Sequence, residues 1–347
     1  VGYDGFLLLS FGGPERPADV LPFLQNVTRG RGVPPQRLAE VAEHYQHFGG
    51  VSPINEQCRQ LLSALRGEFA AHGPALTLCW GNRNWHPMLA DTLASMRDIG
   101  IRRAVVFVTS PYGSYSSCRQ YLEDIATARA AVGPRAPALH KLRHYHDHPG
   151  FVEPLADGVR HALRTLPLTP PERTRLVFTA HSIPRVMART AGPDGGRYQA
   201  QLMETAALVA RAAAPGLAWD LAWQSRSGPA HVPWLEPDIN PHLESLAAGG
   251  TRAVVVSPIG FTSDHLEVVW DLDTEAADTA KRAGLAYARA ATPGADPRFV
   301  AMIRELVVER IEADRTGDQA TGPRRRLGTV PVWDTCPSHC CPPPRRP

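Results

Sequence analysis

A histidine and a row of acids stand just past two apolar runs of this chain. Thr174–Pro184 reads TRLVFTAHSIP, with His181 beyond the β-rich stretch. Ala253–Glu275 reads AVVVSPIGFTSDHLEVVWDLDTE, in which Glu267, Asp271 and Glu275 recur every fourth residue. On an α-helix that spacing stacks three carboxylates along one face, about 6 Å per step. Imidazole titrates near neutrality and carboxylates are hard oxygen ligands. Together they suit a site that moves protons and a divalent metal ion. Simpler readings compete. Asp264 and Glu267 stand three apart and would serve as a capping box. A histidine after a strand is commonly a hydrogen-bonded core residue. Capping leaves Asp271 and Glu275 unexplained, and a solvated face tolerates the weak repulsion between stacked acids.

A second chemical signal lies near the end of the chain. Cys336, Cys340 and Cys341 crowd together, with prolines directly after Cys336 and Cys341. A stiff turn rich in thiolates suits an iron–sulfur cluster or zinc, although C-x3-C-C matches no common zinc-finger spacing. A fourth ligand must come from Cys58, Cys79 or Cys118. Cys79 sits inside an apolar run and reads as core, whereas Cys118 follows the loop YGSYSS. The bland alternative is a disordered tail with incidental thiols. Trp85, Tyr112, Tyr115, Tyr121, Trp223 and Trp234 could pack on a large flat ligand. Arg29, Arg31, Arg83 and Arg226 could meet carboxylates, which suit the guanidinium fork. Each of these, taken alone, reads as ordinary packing or solvated charge.

The elements that must position these groups follow from six short apolar runs. They are GFLLLS (5–10), LTLCW (76–80), AVVFV (104–108), LVFT (176–179), WDLAW (219–223) and AVVVS (253–257). Runs without polar alternation, separated by helical patterns, predict buried parallel strands in an α/β protein. They fall into two similar triplets. RRAVVFVTSPYGSYSS (102–117) resembles TRAVVVSPIGFTSDH (251–265), GFLLLSFGGP resembles LVFTAHSIP, and LTLCWGNRNWHP matches WDLAWQSRSGP more loosely. Two related βα domains are therefore expected, over residues 1–150 and 151–300. Each would be a parallel sheet flanked by helices. Open parallel sheets bind ligands beyond the carboxyl ends of their strands, so the site belongs in a cleft between the two. Residues 14–75 read as a helical lip over that cleft. Residues 301–347 would supply a C-terminal helix and a cysteine-rich tail packing back on the first domain.

Composition narrows the class. The chain has 347 residues, enough for two domains, and a formal charge of +3, too balanced to argue for nucleic acid. It contains no phosphate-loop or dinucleotide-binding glycine motif. No apolar run approaches the length that crosses a membrane. VGYDGFLLLS lacks the basic start and cleavage site of a signal peptide, which leads us to expect a soluble, cytoplasmic protein. Nothing calls for an obligate interface, so a monomer is expected.

LLLSFGGP, RGRGVPP, HFGGVSPIN, TAHSIP, WQSRSGP with PWLEPDI, and SPIGFTSDHLEVVWDLDTE occur in this order from about residue 3 to about residue 315. Together they resemble the ferrochelatases. The resemblance implies two Rossmann-like domains around a porphyrin cleft and insertion of Fe(II), the metal substrate, into the macrocycle. His181 matches the family's catalytic histidine on one side of the ring, and Glu267 the acid opposite it. Asp271 and Glu275 match an acidic line that passes metal inward. Ser52 and Tyr121 match positions that hold propionates, Ser225 lies in the matching cleft motif, and Arg29 and Arg31 belong to the lip. Cys118, Cys336, Cys340 and Cys341 would match the ligands of a 2Fe–2S cluster. The RGRG lip resembles the actinobacterial members that use coproporphyrin III; protoporphyrin IX and a non-catalytic haem carrier are the alternatives. An iron donor and an enzyme that processes coproheme would be the partners. Several relatives carry a tyrosine where this chain has Phe11, which offers no ligating atom.

Overall fold

The computed structural model describes residues 2–30, 32–229, 231–317 and 324–343. Among these residues, eight strands form two parallel sheets. Strands β1 (Gly5–Ser10), β2 (Thr77–Asn82), β3 (Arg103–Val108) and β4 (Ala138–Lys141) make the first, in the order β2-β1-β3-β4. Strands β5 (Thr174–His181), β6 (Trp219–Gln224), β7 (Ala253–Ser257) and β8 (Ala286–Arg289) make the second, in the order β6-β5-β7-β8. The order is the same, and so is the register across the centre: Gly5 lies beside Ala104, and Thr174 beside Ala253. The α/β class with two like sheets is therefore the architecture observed.

Among the described residues, twelve α-helices connect and cover the sheets. In the first half these are α1 (Val20–Val27), α2 (Pro35–His47), α3 (Ile54–His72), α4 (Leu89–Asp98) and α5 (Gln120–Val132). Next come α6 (Pro149–Thr165), α7 (Arg185–Arg189), α8 (Arg197–Ala213) and α9 (Ile239–Ala248). The last are α10 (Leu266–Val268), α11 (Ala277–Arg282) and α12 (Pro297–Thr316). None of the described helices is long and apolar enough to cross a membrane.

Strand side chains alternate between faces, and both faces of each sheet are covered, which is why the runs read as continuously apolar. Phe6 and Leu8 enter the same core as Leu176, Phe178 and Val255, together with Phe151 and Leu155 of α6 and Phe299 of α12. One core therefore runs through both halves. Leu7 and Leu9 point to the opposite face, against α4 and α5. Val177, Val254 and Val256 face α9 and the acidic segment. The helical lip has a separate small core of Val20, Phe23, Leu24, Ala42 and Tyr45, joined by Leu266 of α10.

Candidate active site

His181 is the last residue of β5, and Glu267 lies in the short helix that follows β7. The two strands are hydrogen-bonded neighbours, so their carboxyl ends deliver both side chains to one place. His181 Nε2 is 3.7 Å from Glu267 Oε2. His265 Nδ1 approaches the same carboxylate oxygen at 4.0 Å. Glu267 keeps 48% of its side chain exposed, so the group is open to a ligand. His181 Nδ1 lies 2.5 Å from the carbonyl oxygen of Ser182. Only an N–H can make that bond, so Nδ1 carries a hydrogen, and in the neutral imidazole it is Nε2 that holds the lone pair.

This geometry corrects one expectation. His181 and Glu267 were expected to face each other across the ring. A flat ring in van der Waals contact on both sides needs about 7 Å between the groups that sandwich it. At 3.7 Å the two stand side by side, with no room for a ring between them.

The acid row also departs from a plain α-helix. Only Leu266–Val268 is α-helical, and Val269–Ala276 is a π-helix. Its i→i+5 bonds widen the turn, so residues four apart lag slightly around the axis while still sharing a side. Glu267 and Glu275 both act on Asp271 and raise its pKa, but burial is the larger cause, and the carboxyl is pushed up to about 7. Ser225 Oγ donates to Asp271 Oδ2, and Gln224 Nε2 donates to the same oxygen at 3.3 Å. The capping reading does not hold. His265 occupies the cap position without a side-chain bond, while Asp264 is paired with Arg289 at 3.1 Å and accepts from Thr292 Oγ1 at 3.1 Å.

The lip closes over this row from outside. His44 of α2 stacks on Trp270 with centroids 4.0 Å apart and planes at 10°, and His47 and Phe48 meet the same indole edge-on. Burial holds His44 below its ordinary pKa against the pull of Glu275. These contacts were not foreseen; Trp270 sits inside the acid motif, and its alternation with the acids was the available signal.

The remaining expected residues are dispersed. Ser52 is buried, with its N–H donating to the carbonyl of Pro14 at 2.9 Å. Tyr121 is buried beneath the Arg83 guanidinium, 4.3 Å from its ring. Arg83 itself is 7% exposed and paired with Asp124, so it is not a free rim cation. Arg29 is exposed at the end of the lip and donates to Asn26 Oδ1 at 2.6 Å. Arg31 lies outside the described residues. Arg226 donates to the carbonyls of Pro229 and Val232. Of the aromatic group, Tyr112, Trp223 and Trp234 are buried. Tyr112 joins the halves by donating to the carbonyl of Ile259 at 2.8 Å. Phe11 is 36% exposed just past β1, edge-on to Phe23.

The tail cysteines converge on Cys118. Cys118 hydrogen-bonds Cys336, which in turn bonds Cys340. Cys340 and Cys341 sulfurs are 3.6 Å apart, and Gly192 N–H donates to Cys341 Sγ at 3.0 Å. The bond from Cys118, then that from Cys340, holds the Cys336 thiol low, to about 3, while its neighbour Cys340 is raised. Lys141 adds a positive charge that favours thiolates here. The tail reaches this place along α8. Asp147 pairs with Arg326, Glu204 accepts from the N–H groups of Thr329 and Val330, and Arg197 lies over Trp333. His146, Asp147 and Glu204 bring ligating atoms within 4.8 Å of one another; the tail donors and the 3.0 Å His146–Glu204 contact engage part of the group, while His146 Nδ1 and Asp147 Oδ1 are buried without a hydrogen-bond partner among the described residues. The tail meets the first half at Cys118, at Arg119, which donates to the carbonyl of Ser338, and at Asp147, which pairs with Arg326 and accepts from the N–H of Leu327. A cavity of about 700 Å³ lies at the other end of the second sheet, around Arg173, Arg175 and Arg252, away from every residue above.

Solved structures share this architecture. Sirohydrochlorin chelatase SirB from Bacillus subtilis with Fe3+ matches at a TM-score of 0.53, with 11% identity, over 90% of this chain and 98% of that one. The same enzyme from Bacillus subtilis subspecies spizizenii in complex with cobalt matches at 0.52. The architecture is thus that of the two-domain chelatases. The Ferrochelatase family model matches residues 3–311, and the chain belongs to that family. Its relatives include the coproporphyrin III ferrochelatases of Nocardia farcinica, 55% identical over 99% of this chain and 98% of the relative. That of Streptomyces coelicolor is 53% identical over 98% and 93%.

Proposed function

We propose that this chain inserts Fe(II) into coproporphyrin III, with His181 as the base and Glu267 beside it. The observation that carries this reading is the 3.7 Å His181–Glu267 pair at the head of the acid row. A free-base porphyrin has two inner N–H groups, and both protons must leave as iron enters. His181 Nε2 has the lone pair to accept one, because Nδ1–H is held by Ser182. The imidazolium formed would be stabilised by the Glu267 carboxylate next to it. Glu275, Asp271 and Glu267 offer successive oxygen donors that exchange with the waters of hydrated Fe(II). Iron stays ferrous throughout, so the reaction balances as porphyrin plus Fe(II) giving metalloporphyrin plus two protons. The long core shared by both halves keeps the two strand ends in fixed relation.

Cys118, Cys336, Cys340 and Cys341 would hold a 2Fe–2S cluster, whose chemistry is one-electron exchange at a site tuned by hydrogen bonds to sulfur. Four converging thiols, a backbone N–H on one of them and a nearby ammonium support that set. Free thiols elsewhere in the chain suit a reducing compartment, and we place the reaction in the cytoplasm. In this reading the protein acts as a monomer that receives iron from a donor and passes its product to a processing enzyme.

The test is anaerobic turnover with each porphyrin in turn. Coproporphyrin III should be metallated with a kcat/KM at least about tenfold above protoporphyrin IX, since two further carboxylates add contacts of about 1.4 kcal/mol or more in all. A preference for protoporphyrin IX would overturn the substrate; haem binding without turnover would overturn the enzyme.

A further inference from the structure

Ser225 is one of two non-glycine residues with positive φ among those described, at 61°. Serine adopts that left-handed conformation only when its surroundings over-determine it. What holds it here is its own hydroxyl, which donates to Asp271 Oδ2. The preceding residue makes a second clamp. Gln224 is buried at the end of β6, and its amide nitrogen donates to Asp271 Oδ2 at 3.3 Å and to the carbonyl of Glu267 at 3.4 Å. The Glu267 carbonyl is an acceptor only, so the amide must present its NH2 to this side.

The consequence for Asp271 is asymmetric. Both bonds fall on Oδ2, and Oδ1 accepts none among the described residues. A carboxylate held by donors on one oxygen and open on the other is arranged as a metal ligand is arranged by its supporting bonds. The same clamp ties Glu267 in α10 and Asp271 in the π-helix, one turn apart, to the end of β6. The spacing between two acids of the row is thereby set by the edge strand β6 and not by the helix alone.

We propose that Ser225 and Gln224 are positioning residues for iron delivery, holding Asp271 so that its second oxygen is free to take Fe(II) from Glu275 and pass it to Glu267. In this account the Ser225 hydroxyl is committed to Asp271 and does not hold a porphyrin carboxylate. The proposal rests on the reading of the acid row as a metal path.

The experiment is steady-state anaerobic metallation of coproporphyrin III by the full chain, varying iron and porphyrin separately. Ser225→Gly is the principal variant, because glycine accepts the backbone conformation and lacks only the hydroxyl. Ser225→Ala and Gln224→Met extend the series, with circular dichroism and melting temperature to check folding. Ser225→Gly should raise the KM for Fe(II) about tenfold, the scale for loss of a supporting bond to a metal ligand, and leave the KM for porphyrin unchanged. Asp271→Asn should raise it at least as much, and Ser225→Gly should add little on top of Asp271→Asn, since both act through one carboxylate. A raised porphyrin KM with an unchanged iron KM in Ser225→Gly would overturn the proposal and give the hydroxyl to the porphyrin. Iron KM raised in Asp271→Asn but not in Ser225→Gly would sink the clamp and keep the path. An unchanged iron KM in Asp271→Asn would sink the path itself, and the clamp with it.

Discussion

The two halves make the same turn and use it differently. After β3 the chain runs Ser-Pro-Tyr-Gly into a π-helix, Tyr115–Arg119; after β7 it runs Ser-Pro-Ile-Gly toward the π-helix Val269–Ala276. Aligning the two Ser-Pro-x-Gly turns sets Cys118 against His265, Gln120 against Glu267 and Asp124 against Asp271. Each aspartate is met by the residue directly after an edge strand of its sheet, β2 in the first half and β6 in the second. In the first half that residue is Arg83, which neutralises Asp124 with a guanidinium. In the second it is Ser225, which gives Asp271 a neutral hydroxyl. One carboxylate is thus fixed in an ion pair, and the other remains available to a cation. The lesson is that the scaffold supplies the place, and the partner after the edge strand decides whether an acid there is structural or chemical.

That contrast can be broken in several ways. The largest effect should come from His181→Ala, which removes the base that only the second half carries. Metallation should fall about 10²–10⁴-fold with porphyrin affinity retained, read by turnover and by fluorescence titration. Asp124→Asn should destabilise the fold by about 1–3 kcal/mol in chemical denaturation, because it strands the mostly buried Arg83 guanidinium at a pair whose aspartate is 36% exposed. Asp271→Asn should do the reverse. The Asp271 carboxyl goes from 3.8 to about 7 on folding, so the native state holds the proton that the unfolded chain releases. Stability linked to it is complete below pH 3.8 and drains away as pH rises to about 7. Asparagine should therefore gain about 3 kcal/mol at pH 8 in metal-free buffer and almost nothing at pH 4. Equal effects at both pH values would remove the contrast between the two aspartates.

The smallest effect concerns the tail. Burial works against the Glu204 carboxylate, but the bond from His146 and the N–H groups of Thr329 and Val330 bring its pKa down to about 2. Its contribution is present above pH 4.5 and is lost as pH falls toward 2. Only 14% of the side chain is exposed, but glutamine keeps an oxygen that can accept from the tail N–H groups, so Glu204→Gln should loosen the tail by about 1 kcal/mol. Faster proteolysis near Leu327, with unchanged global melting, is the expected readout.

The sequence carried much of this and missed what depends on distance. GFLLLS and AVVVS coincide with β1 and β7, and the other four runs lie on strands within a few residues. β4 and β8 went unread because ALHK and AYAR are short, half-buried edge strands with no apolar run. His181 and the acids were visible because their positions relative to strand ends are local. Their arrangement was not, since a strand pairing brings Glu267 to the side of His181, and no spacing encodes that. Tyr121 and Trp223 read as possible walls, yet each is buried by an element distant in sequence. Asp264 read as a cap, and its arginine partner, Arg289, lies on β8, the strand that left no trace.

The most direct measurement is proton release during a single anaerobic turnover, with coproporphyrin III bound first and Fe(II) added in a weakly buffered indicator solution. Two protons should appear per iron incorporated, in step with loss of the free-base spectrum. Iron that binds while the macrocycle keeps its spectrum and no proton appears would contradict the account.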